Sequence, residues 1–238
     1  MGALLVRGMI AGLIASLLAF GFAKVIGEPH IDRAIAFEEA AHPPVAGEAA
    51  EPELVSREVQ ASAGLLTGVA LYGTALGGVF ALAYAFISGR LLHLPPRSTA
   101  LVIAAIGFLV LYFVPYLKYP ANPPAVGQGE TIGYRTQLYF AMVVFSLLAL
   151  TIAVSFGRQA FEKFGGWNAA MLGAGVYLVL VFVAAYALPV INEVPETFPA
   201  DLLWNFRLAS MGTQFILWAA IGLLFGWLIA GDRERRAL

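Results

Sequence analysis

Charged residues fall along this chain so as to leave six long uncharged, apolar stretches, at 8–23, 59–89, 98–117, 136–157, 164–192 and 208–231. About 20 consecutive apolar residues carry a helix across the hydrocarbon core of a bilayer, and all of these stretches but the first reach that length. Arg7 and Lys24 flank the first, and their long stems can run along apolar surface and place the charges at the two interfaces. The pattern predicts spans over about 4–26, 62–88, 98–117, 137–156, 169–190 and 208–230 in one transmembrane domain, 1–238. The expected fold class is an all-α integral membrane protein, a bundle of about six transmembrane helices with long acidic, proline-rich outer loops.

Small residues inside the spans predict how they pack. Gly8, Gly12 and Ser16 recur every four residues, as do the pairs Gly64/Gly68, Gly73/Gly77 and Gly222/Gly226, and such ridges let helix backbones approach closely. The first ridge also argues for a retained helix rather than a cleaved signal, because Ala23-Lys24-Val25 is a poor cleavage site. Position six is Val6, without the hydroxyl that N-myristoylation prefers. Pro115 and Pro189 stand near the ends of their spans; there they terminate the helix, or free carbonyls that line a polar cavity.

Composition agrees with the pattern. The chain is 60% hydrophobic and 12% charged, with mean hydropathy +0.81, against about 25% charged residues in soluble domains. A net charge of −1 with no basic tract excludes nucleic acid as the expected partner. There is no cysteine, hence no disulfide and no thiolate metal site. No Gly-x-Ser-x-Gly, His-Glu-x-x-His or phosphate-binding glycine loop occurs, so neither catalysis nor nucleotide hydrolysis is expected. No ionisable side chain lies at mid-depth of a span, which argues against a proton relay and a bis-histidine haem.

Six crossings put both termini on one side. That side would hold eight Lys and Arg residues against six on the other, and only Glu162, Asp232 and Glu234 of the acids. The positive-inside rule then places the termini in the cytoplasm and gives the protein an anionic outer face. The outer loops, 27–61, 118–136 and 191–207, each end near an arginine just before the returning helix: Arg57, Arg135 and Arg207. Such recurrence fits internal repeats of the kind transporters carry, and equally fits ordinary interfacial anchoring.

Two groups of residues are candidates for handling a cation. In the first outer loop, Glu28, His30 and Asp32 alternate, and a helix over 31–41 would bring Glu38 and Glu39 within one turn of His42. Imidazole with carboxylate suits cobalt, nickel or zinc better than calcium or magnesium; the same residues also suit a solvated acidic loop. The second group, Lys118, Asn122, Asn192 and Glu193, lies among prolines near the outer membrane face. Rigid carbonyls there could replace part of an ion's hydration shell along a transport path, although asparagine and proline also build any tight loop.

Several strings resemble the CbtA family of predicted cobalt transporter subunits: Gly27-Glu28-Pro29 with Asp32-Arg33-Ala34-Ile35-Ala36-Phe37-Glu38-Glu39, Pro115-Tyr-Leu-Lys-Tyr-Pro-Ala-Asn-Pro-Pro-Ala-Val-Gly127, Thr131-Ile-Gly-Tyr-Arg-Thr136, and Asn192-Glu193-Val-Pro-Glu196 through Trp204. The resemblance implies a multi-pass protein of the bacterial inner membrane that supplies cobalt for cobalamin. It also implies a small single-span partner, CbtB, with histidines near one end. Cobalt(II) would then be the cargo, with no tightly bound cofactor. Expected partners are the lipid bilayer, the CbtB-like subunit and further copies of this chain, with no nucleotide. The leading reading is a subunit of a cobalt or nickel permease; the rivals are a non-transporting membrane scaffold and a membrane enzyme acting on a lipid or cofactor intermediate.

Overall fold

A computed structural model describes residues 1–41 and 55–236, with side chains through 231. Among these there is no β-strand. Five helical runs are long and apolar enough to cross a membrane: α1, Gly2–Ala41; α2, Arg57–Ile87; α3, Pro96–Lys118; α4, Gly129–Ala187; and α5, Ala200–Arg236. Five runs stand where the apolar pattern predicts six spans because α4 covers the fourth and fifth together.

Within α4 the backbone breaks at Gly165, with φ 73° and ψ 168°, a conformation reached essentially by glycine alone. The two arms fold back on one another. Ser146 hydroxyl lies 2.8 Å from Tyr177 hydroxyl, and a Cβ added to Gly173 would lie 3.1 Å from Ala153 carbonyl oxygen and 3.7 Å from Gly157 Cα. The expected inner loop at 157–168 is therefore helical except at the reversal, because Arg158–Phe164 are mostly good helix formers.

Prolines also leave the helices longer than expected. A proline ring clashes with the carbonyl four residues earlier and removes a hydrogen bond. Before Pro29 the helix widens into a π turn over Ala23–Gly27, and before Pro115 into another over Phe108–Phe113. Each wide turn accommodates its proline, so α1 runs on to Ala41 and α3 to Lys118.

The chain forms two compact units, the first from 1–108, 122–125 and 196–238, the second from 109–121 and 126–195. In unit one, α1 and α2 cross antiparallel through the expected glycines. Cβ atoms on Gly8 and Gly12 would run into the backbone of Gly77 and Gly73 respectively. Along the same antiparallel register, Glu28 meets Arg57; a second π turn stands at Gln60–Gly64. Helix α5 packs on α3 through Trp218 against Gly107, Gly222 against Ala104 and Gly226 against Ala100, and on α2 through Phe225 against Phe80 and Tyr84, with ring centroids 5.3 and 5.2 Å apart. In unit two, Tyr119 hydroxyl donates to Pro189 carbonyl at 2.8 Å, tying the chain after α3 to the chain after α4.

Candidate functional site

Arg57, Arg135 and Arg207, the three recurring arginines, each grip a partner across the fold. Arg57 donates from Nη2 to Glu28 and from Nε and Nη2 to Asp32 at 3.1 and 2.9 Å. Pro29 and the wide turn before it keep α1 helical here, so Glu28 and Asp32 share one face at i and i+4. Glu28 is buried and Asp32 exposed. One turn on, Arg33 reaches Asp201 at 3.5 Å, and Phe37 meets Phe198 edge to face at 5.1 Å. The C-terminal part of α1 is thereby held to the start of α5.

Arg207 donates to Asn122 Oδ1 at 2.9 Å, fixing the 122–125 strap within unit one. Arg135, in unit two, lies over Gly127, whose φ of 105° leaves no place for a side chain. It donates to Gln128 carbonyl at 3.1 Å, and its Nε stands 3.5 Å from Glu193. The Glu193 carboxylate also accepts from Gln128 N–H and Thr131 hydroxyl, both at 2.9 Å. These donors, the Gln128 amide first and the Thr131 hydroxyl next, hold its pKa below the ordinary carboxylate value against the opposing effect of desolvation, with the Arg135 charge contributing least.

The ten candidate residues are therefore distributed as follows. Glu28 and Asp32 converge, but on a guanidinium; Asn122 and Glu193 are taken by Arg207 and Arg135. Lys118 ammonium lies 5.6 Å from the Tyr119 ring centroid, and Asn192 Oδ1 accepts from Val194 N–H at 3.4 Å, closing a turn. Glu38 and Glu39 are exposed on α1, His30 is half-buried with Nδ1 unpartnered, and His42 lies outside the described residues. Among the described residues no three His, Cys, Asp or Glu side chains stand close enough to hold a metal ion.

A family model, described as probable cobalt transporter subunit (CbtA), matches residues 1–230. The chain belongs to the CbtA family. The match spans the first four helical runs, α5 as far as residue 230 and each of the arginine contacts, so the family of probable cobalt transporter subunits has here an all-helical member with several helices able to cross a membrane. No curated protein and no solved structure matches the chain.

Two polar residues of this CbtA chain stand inside the bundle and were not among the expected site residues: Gln214 and Trp218, both in the apolar run of α5. Neither is ionisable, so a search of the spans for charge passes over them. Their i, i+4 spacing was the available signal, since it puts an amide and an indole on one helix face.

Proposed function

We propose that this chain is the membrane-spanning subunit of a cobalt or nickel permease. It crosses the inner membrane six times with both termini in the cytoplasm, and works with a small CbtB-like subunit that contributes histidines. The observation that carries the reading is the family match over 1–230. The α4 hairpin supports six crossings, since each arm is long enough to span, at about 1.5 Å per residue. The need for a partner's imidazoles is supported by the sequence: its histidines are His30, His42 and His93, and none stands within an apolar run.

On this reading the anionic outer face concentrates the cation electrostatically. Glu38 and Glu39, exposed and without a described partner ion, are the first acids it meets, with His30 and His42 near them in sequence. A metal reaching Glu28 and Asp32 competes with Arg57, and one reaching Glu193 competes with Arg135. Cation capture at these carboxylates is therefore coupled to release of an arginine that ties two helices or two loops together. Lys118, Asn122 and Asn192 are the polar residues we assign to the ion's further path.

The test is cobalt and nickel accumulation, by elemental analysis, in cells stripped of their own importers and expressing this chain with and without a CbtB-like partner. Metal rising only when the chain is present supports the permease. No rise with both subunits inserted overturns it and favours a scaffold subunit.

A further inference from the structure

Among the described residues, Gln214 Oε1 and Trp218 Nε1 are buried atoms of unit one without a hydrogen-bond partner, as is His30 Nδ1 far along the chain. Gln214 and Trp218 lie one turn apart on α5, so the side chains stand one above the other on the same face. Arg207, which holds Asn122, is a further two turns outward on that face. The Trp218 ring lies flat on Gly107, where a Cβ would fall 2.8 Å from Cη2 and 3.2 Å from Cε3. Leu217, Ile221 and Phe225, close by in sequence on α5, are fully buried, and the Tyr72 hydroxyl of α2 shares a hydrogen bond with the Gln214 side-chain amide.

The position of Trp218 is unusual for this chain. Trp167, Trp204 and Trp227 are 79%, 63% and 65% exposed, whereas Trp218 is 5% exposed and sits in the middle of an apolar run. Membrane tryptophans usually stand at the interface, where the indole N–H reaches water or headgroups. Trp218 has no such outlet.

The chemistry of the two atoms selects the ligand. The indole N–H only donates and the amide oxygen only accepts. A bare cation would suit Gln214 but face the positive end of the N–H dipole, and an anion would meet the reverse conflict. A small neutral molecule that accepts from one and donates to the other satisfies both. Water is the molecule of that kind that buried polar groups take up. Each group left without a partner keeps its full desolvation penalty, which a single bridging water relieves for both at a modest cost in its own freedom.

We propose that Gln214 and Trp218 form an internal hydration site in unit one, in which a water molecule accepts from Trp218 Nε1 and donates to Gln214 Oε1. The site deepens the permease reading and rests on it for its use. An ion moving through unit one with part of its water shell meets here a carbonyl that accepts from a coordinated water.

The test is made on the full chain in lipid nanodiscs, labelled with 15N-tryptophan, without metal. Trp218 Nε1–H is assigned by its loss in Trp218→Phe, and its contact with water is read from water-selective cross-relaxation. A water cross-peak at Trp218, lost in Gln214→Met while the other three indoles are unchanged, is the expected result. A wild-type Trp218 with no water cross-peak, beside a visible one at Trp167, overturns the proposal. So does a cross-peak that persists unchanged in Gln214→Met. If Gln214→Met fails to fold, the wild-type cross-peak decides alone. A hydrated Trp218 in a chain that accumulates no cobalt overturns the permease reading only; cobalt uptake with a dry Trp218 overturns the hydration site only.

Discussion

Replacing Gly73 by alanine tests whether the α1–α2 crossing is as close as its glycines allow. A Cβ at position 73 would lie 2.7 Å from Ser16 Cβ, 2.9 Å from Gly12 carbonyl oxygen and 3.2 Å from Leu217 Cδ1. Ordinary carbon contacts are about 3.5–4.0 Å, and the two nearest atoms are a backbone oxygen and a fixed Cβ, which no rotamer change can move. The helices must therefore separate by several tenths of an ångström along a seam that also includes Gly8, Gly12 and Gly77. Overpacking of this kind costs roughly 1–3 kcal/mol. Alanine is also the better helix former by about 1 kcal/mol, so the net effect of Gly73→Ala alone is blurred. Gly68→Ala, five residues away on α2 with nothing within 4 Å of its Cβ position, supplies the same propensity gain without the clash. The difference between the two variants isolates packing, and Gly68→Ala should be the more stable by about 1–3 kcal/mol. Equilibrium unfolding in mixed detergent micelles, followed by circular dichroism, measures that difference. Equal stabilities, or a more stable Gly73→Ala, would refute the close crossing.

Three further outcomes follow from the same structure. Arg57→Gln leaves the buried Glu28 carboxylate without its cation; breaking a fully buried pair costs ~3–5 kcal/mol, and because Arg57 is half-exposed the loss should be smaller, about 2 kcal/mol in the same unfolding assay, with Glu28→Gln added restoring part of it. Gly165→Ala forces a side chain into a backbone conformation that costs on the order of 1–3 kcal/mol, and should weaken the α4 hairpin, read as faster amide hydrogen exchange around 157–173. Because the pKa of Glu193 is lowered in the fold, its stabilising contribution is fully present above the ordinary value of 4.5 and is lost as the pH falls through the lower folded value; amide exchange at Gln128 should therefore rise on acidification in the wild type and be pH-independent, beyond the intrinsic exchange rate, in Glu193→Gln.

The order of apolar runs was enough to determine that this chain is helical and crosses a membrane, because about 20 uncharged apolar residues have few other stable environments. The glycine ridges likewise announced a close crossing, and Gly8, Gly12, Gly73 and Gly77 form one. The strings around Glu28, Asn122, Arg135 and Asn192 carried the family. Local sequence was less informative about where helices stop. Pro115 and Pro189 both read as helix ends or kinks; the helix does stop at Ala187 before Pro189, whereas a π turn over Phe108–Phe113 precedes Pro115 and the helix runs on to Lys118.

Pairing of charges was decided only by the tertiary structure. Arg57, Arg135 and Arg207 were visible as a recurring feature, yet each could have anchored at the lipid interface; which carboxylate or amide it meets depends on contacts between residues as much as 85 positions apart. Glu28 and Asp32 looked like metal ligands because their types and spacing allow it, and the fold supplies Arg57 as the cation between them. Gln214 and Trp218 passed unnoticed for the converse reason. An uncharged amide and an indole disturb hydropathy little, and the unsatisfied Gln214 Oε1 and Trp218 Nε1 become evident only once α2, α3 and α5 have closed around them.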